Sequence, residues 1–116
     1  LARQCFEEIK AERLAMGIPI DAGVDPTESG LIGEMMTPVT SVPGDLPAKQ
    51  TTINPNFAAM TVDMLERAGV KEGDKVAVAF SGSFPALNAS VCAALEVMRV
   101  KPVIISSVAA SQWGAN

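Results

Sequence analysis

Two apolar runs, Lys75-Val-Ala-Val-Ala-Phe80 and Val103-Ile-Ile105, stand on either side of a segment of helix length, and this pairing constrains the chain more than any other feature. An unbroken apolar run is the pattern of a strand covered on both faces, as in parallel sheets. Two such strands lie parallel only if the chain crosses back between them, usually through a helix. The segment from Pro85 to Arg99 supplies that helix, with Leu87, Val91, Ala94, Leu95 and Met98 at core spacing. The pattern over 75–108 therefore predicts strand, helix, strand, with the strands as parallel neighbours.

The rest of the chain divides around this unit. Residues 1–17 carry a helical pattern, with Ala2, Cys5, Phe6 and Ile9 on one face and Glu7, Glu8, Lys10 and Glu12 on the other. Gly17 ends it and Pro19 prevents its continuation. Residues 18–53 hold five of the eight prolines and read as an irregular segment, with short strands expected at Leu31–Ile32 and Val39–Val42. Residues 54–116 form an α-β-α-β core. Its first helix opens with Asn54 as cap and Pro55 as first helical residue, or two residues later with Asn56 as cap. It buries Phe57, Met60, Met64, Leu65 and Ala68 before Gly69 stops it. The expected fold class is α/β, a layered Rossmann-like parallel sheet with flanking helices. Two strands alone leave both edges unpaired, so 1–116 reads as a single domain or as part of a larger α/β domain. A further segment, a second copy or strands from 31–53 should complete the sheet. By itself the chain should form a homo-oligomer or aggregate.

The chemistry on offer is narrow. The 116 residues include no histidine, which removes Ser-His and Cys-His pairs and imidazole-bound zinc. Cys5 and Cys92 sit inside separate predicted helices and read as small buried hydrophobes, with a disulfide as the alternative. A net charge of −4, scattered basic residues, four Phe and one Trp argue against nucleic acid as a partner. Asp21, Asp25, Glu28 and Glu34 match no calcium-loop spacing, and neither a metal nor a cofactor is expected. The chain contains no apolar run of membrane-spanning length.

The turn Ser81-Gly-Ser-Phe-Pro85 has two compatible readings. In the first, Gly82 permits a positive φ, Ser83 caps the helix and Pro85 opens it. In the second, the hydroxyls and backbone N–H groups of Ser81, Gly82, Ser83 and Phe84 hold a carboxylate or phosphate at the carboxyl edge of the sheet. Phe84 precedes a proline, so it is pushed out of the α region and should turn its N–H toward the cleft. Asn88 follows on the helix. Ser107, Ser111 and Trp113 follow the second strand and reach the same edge by parallel geometry, with Trp113 either lining the pocket or plugging the sheet end. The turn is no nucleophile elbow, since Gly-x-Ser-x-Gly is not met. It shares Ser81-Gly82 with the loop of ATP pyrophosphatases, but Pro85 and Ala86 replace that loop's Asp and Ser, and a Walker loop is absent.

Several strings carry a resemblance: Gly30-Leu-Ile-Gly33, Asn54-Pro-Asn-Phe-Ala-Ala59, Phe80-Ser-Gly-Ser-Phe-Pro-Ala-Leu-Asn88, Val103-Ile-Ile-Ser-Ser107 and Ser111-Gln-Trp-Gly-Ala-Asn116. In that order they resemble the family called poly-gamma-glutamate system protein, found beside the capsule-type polyglutamate synthesis genes of bacteria. The resemblance implies an accessory or binding component of poly-γ-glutamate biosynthesis or export. It implies other subunits of the synthesis complex as partners. It also implies a place on the outside face of the bacterial cell envelope, through an anchoring segment absent from this chain. The ligand of the 81–88 turn would then be poly-γ-glutamate or a glutamate-like, carboxylate-rich molecule. Two further readings stay open. One is a hydrolase or transferase acting on glutamyl linkages, with Ser81 or Ser83 as nucleophile and a base from another segment. The other is a structural subunit without a ligand site. With no histidine or lysine near the turn in sequence, binding is favoured over catalysis.

Overall fold

The computed structural model describes residues 1–114. The chain runs α1 (Ala2–Ala15), β1 (Thr40–Val42), α2 (Leu46–Thr52), α3 (Phe57–Arg67), β2 (Lys75–Phe80), α4 (Pro85–Val97), β3 (Lys101–Ser106) and β4 (Ala110–Ser111). It is a mixed α/β fold whose strands all pair parallel. The β2–α4–β3 unit stands where the apolar runs place it, with β2 and β3 in unbroken register from Lys75↔Lys101 to Phe80↔Ser106. β1 and β4 form a second pair, Thr40↔Ala110 and Val42↔Ser111, with an irregularity between. The two pairs remain separate sheets.

Residues paired in register share a face of the sheet. Val76, Val78 and Phe80 thus lie beside Pro102, Ile104 and Ser106, and Ala77 and Ala79 beside Val103 and Ile105. Cys92 and Leu95 of α4 border one hollow with Pro102 and Ile104, so α4 lies over the first face but covers it only in part: Val76, Val78 and Phe80 are half-buried and Ile104 stays exposed, which corrects the expectation of strands covered on both faces. On the second face Val103 is 60% exposed and Ile105 75%.

The core is built mainly between helices. α4 packs against both α1 and α3. It does so through small residues, burying Ala86, Ser90, Ala93, Ala94 and Leu95. Leu87, Val91 and Met98, expected in the core, are only half-buried, because the neighbouring helices meet the alanine face instead. Phe6, Leu31 and Ala86 form one buried cluster, flanked by Ile53 and Ala89. α3 buries no residue, and Met60 and Met64 are exposed, since no layer covers that side of it. Its start follows the later of the two expected boundaries, after Asn56, while the Asn54 side chain accepts the Asn56 N–H at 3.0 Å. α1 ends as predicted, with Gly17 at φ +75°.

Two side chains organise the prolyl segment. Arg13 reaches out of α1 and donates to the carbonyls of Pro19, Gly30 and Ile32. Asp25, 1% exposed, accepts from Ser29 Oγ at 2.9 Å, Gly30 N at 2.8 Å and Thr27 Oγ1 at 3.3 Å. Of the strands expected here, Val39–Val42 appears as β1. Leu31–Ile32 is buried without being a strand and leads into backbone bonds between Gly33, Glu34 and Trp113. α2 falls inside the segment read as irregular. Both cysteines are free, Cys5 half-buried and Cys92 exposed, which corrects the buried reading of Cys92 and the disulfide alternative. Among the described residues no helix is long and apolar enough to cross a membrane, and no cluster of potential metal ligands occurs.

Candidate functional site

The β2–α4 turn and the segment after β3 interlock. Gly82 N donates to Ala109 O at 3.0 Å, and Ser111 N donates to Ser83 Oγ at 3.0 Å. A Cβ on Gly82 would stand 2.9 Å from Val108 O and 3.2 Å from Ala110 Cβ. Gly82 is therefore needed for close approach of two backbones, and not for a positive φ as expected, since it is not among the positive-φ glycines. Ser83 is likewise not the helix cap. The N-cap of α4 is Phe84, without a side-chain cap bond, because the Ser83 hydroxyl is turned to Ser111. Phe84 sits at φ −134° and ψ 73°, outside the α region, as a residue before proline should.

A third segment enters this knot, and sequence reasoning did not anticipate it. Lys49, from α2, extends its amine between the two loops. Nζ donates to the Ser83 carbonyl and to Ser111 Oγ, the latter at 2.6 Å, and lies 4.0 Å from the centre of the Phe84 ring. Lys49 is 2% exposed and is the one buried side chain among the nine basic residues. The ion pairs among the described residues, Arg67–Asp63 and Arg99–Glu72, leave it out. Burial holds its pKa below the ordinary 10.5. Lys49 thus corrects the expectation of no lysine near the turn: none lies near it along the chain, and one lies beside it in space.

The other expected site residues distribute as follows. Ser81 is exposed, and its Oγ is 3.4 Å from Ser83 N. Asn88 Nδ2 donates to Ser81 O at 2.8 Å and so braces the turn from the helix. Ser107 donates its N–H to Phe80 O and accepts the Ala109 N–H on its hydroxyl, outside the knot. Trp113 borders a separate hollow with Arg13, Ile32 and Glu34, and it is Gly114 that comes against Gly82. Ala115 and Asn116, the end of the last resembling string, lie outside the described residues. The only advance signal for α2 was Asp45 before Leu46-Pro47, a cap residue ahead of a proline near the helix start. No family model, curated protein or solved structure matches the chain.

The arrangement offers an amine, two serine hydroxyls and an aromatic ring at the carboxyl ends of two parallel strands, next to the N-terminus of a 13-residue helix. Such an edge is where α/β folds bind ligands. Helix N-termini favour anions there.

Proposed function

We propose that this protein is an accessory component of bacterial poly-γ-glutamate biosynthesis or export, and that it takes a γ-glutamyl chain at the β2–α4 edge. The observation that carries the reading is Lys49, a buried amine drawn into the strand-end knot with no described carboxylate opposite it. Buried ionisable groups are ordinarily paired, and an unpaired one in a perturbed state marks a functional site. The resembling strings supply the pathway, since several of them contribute to the knot or adjoin it. The carboxylates of the chain meet Phe84 N–H and the free N–H groups at the start of α4, where the helix end carries partial positive charge. In the assembled system the β2–β3 pair is extended into a layered, Rossmann-like sheet, with other subunits of the synthesis complex as partners. A segment outside 1–116 holds the protein at the outside of the envelope.

The test is calorimetric titration with tri-γ-glutamate and with the same compound amidated at every α-carboxyl. The acid should bind, and the amide should bind at least about tenfold more weakly, a loss of about 1.4 kcal/mol. Equal binding of the two, or none, contradicts the reading. Ser81 and Ser83 as nucleophiles receive little support, because both hydroxyls face backbone N–H groups and not a base.

A further inference from the structure

We propose that Ser111 and Lys49 form a nucleophile–base pair for acyl transfer, with amide linkages of a γ-glutamyl chain as the substrate class. The choice of substrate rests on the carboxylate-binding reading above; the dyad itself does not.

The geometry is the first support. Lys49 Nζ stands 2.6 Å from Ser111 Oγ, within the reach a general base must have. A nucleophile and base also need a third group that orients the base, and the Ser83 carbonyl fills that role by accepting from the same Nζ. Ser111 is fixed in turn from its backbone, through its pairing with Val42 and its N–H to Ser83 Oγ. Serine–lysine pairs of this kind recur on unrelated folds.

Protonation is the second support. A lysine acts as base only as the neutral amine. Burial disfavours the ammonium, and no described carboxylate stands by to hold the proton. The Phe84 ring opposes this in part, because an aromatic face attracts the cation. Elimination is the third. Ser81 and Ser83 have no base within reach, and Ser90, though wholly buried and without a partner for its hydroxyl, lies inside α4.

In the step this geometry supports, the Ser111 hydroxyl proton passes to the lone pair of Nζ while Oγ bonds to the acyl carbon and the carbonyl π pair moves onto oxygen. Collapse of that adduct breaks the C–N bond, and the departing amine takes the proton from the Lys49 ammonium. An ester to Ser111 remains. Water, or the amine of a second chain, then attacks the ester, Lys49 takes the proton of the attacking group, and it is returned to Oγ as the C–O bond breaks. Phe84 lies across Nζ, so its ring must swing aside to admit an acyl group.

The experiment is labelling of the whole chain with a fluorophosphonate, read by peptide mass spectrometry, with circular dichroism to show that each variant is folded. Label on Ser111 is expected, at a rate that rises with pH and is lost in Ser111→Ala. Lys49→Met should lower the rate at least about 100-fold. Lys49→Arg should lower it as well, because a guanidinium does not release its proton. Phe84→Ala should raise it. No label on Ser111 in either wild type or Phe84→Ala, or an undiminished rate in a folded Lys49→Met, overturns the proposal. Tri-γ-glutamate binding separates the two ideas. Binding without labelling removes the dyad alone, whereas labelling without binding removes the γ-glutamyl substrate alone.

Discussion

Asp25 and Lys49 show how little a single residue's letter says about its charge environment. In sequence Asp25 is one of several acidic residues in a prolyl loop. In the fold it is 1% exposed, and its carboxylate gathers Thr27, Ser29 and Gly30 around itself. Hydrogen bonds to a buried charged group contribute about 1.5–3 kcal/mol each. Asp25→Ala should therefore cost about 3 kcal/mol in urea unfolding, while Asp21→Ala, at an exposed position, should cost far less. Lys49 predicts a pH dependence of the opposite kind to an ion pair. Its folded pKa lies below its unfolded value, so between the two the unfolded chain binds more protons and stability rises with pH. The lysine is a burden to the fold below its folded pKa, and the burden is gone above about 10.5. Unfolding free energies measured from neutral pH upward should climb in wild type relative to Lys49→Met. Parallel curves would show that the folded amine titrates normally.

At the scale of elements, the parts legible in sequence are those fixed by local periodicity. The apolar runs of β2 and β3 and the helix between them need only neighbours a few residues away to declare themselves, and α1 announces its end through Gly17. What was not legible depends on encounters between distant segments. Ser83 has the right identity and position for a cap, yet Ser111 claims its hydroxyl from 28 residues away. Gly82 suggests a left-handed turn, yet what it provides is room, since a Cβ there would stand 2.9 Å from Val108 O. Gly82→Val should thus destabilise by at least about 2 kcal/mol through overpacking against backbone. It should also part Ser83 from Ser111, which chemical denaturation and the Ser111 labelling rate would register together. α2 is seven residues long, too short for its periodicity to stand out from the prolines around it.

For the whole molecule, the two-strand sheet has an open side. Lys101 N and Ser107 N both donate inward to the carbonyls of Asp74 and Phe80. The two-residue period of the strand then turns the N–H groups of Ile104 and Ser106 outward, and Pro102 occupies the remaining outward position, where its missing N–H costs no bond to β2. An edge with free donors beside the exposed Val103 and Ile105 is a template for another strand. Light scattering at micromolar concentrations should show self-association of 1–116, reduced by Ile105→Lys. A stable monomer in both would mean that the edge is already well protected. The site has the same character as the sheet. Its strand-end position was visible in the βαβ pattern, but its amine arrives from Lys49, in a segment that reads as irregular. Lys49, Ser83–Phe84 and Ser111 are proposed above to form one site for a γ-glutamyl chain. The most direct measurement is an amide chemical-shift map of the protein titrated with tri-γ-glutamate. The largest changes are expected at Ser83, Phe84 and Ser111, whereas changes confined to the hollow that Ile9 and Met16 of α1 line with Gly30 and Leu31, or none, would contradict a site there.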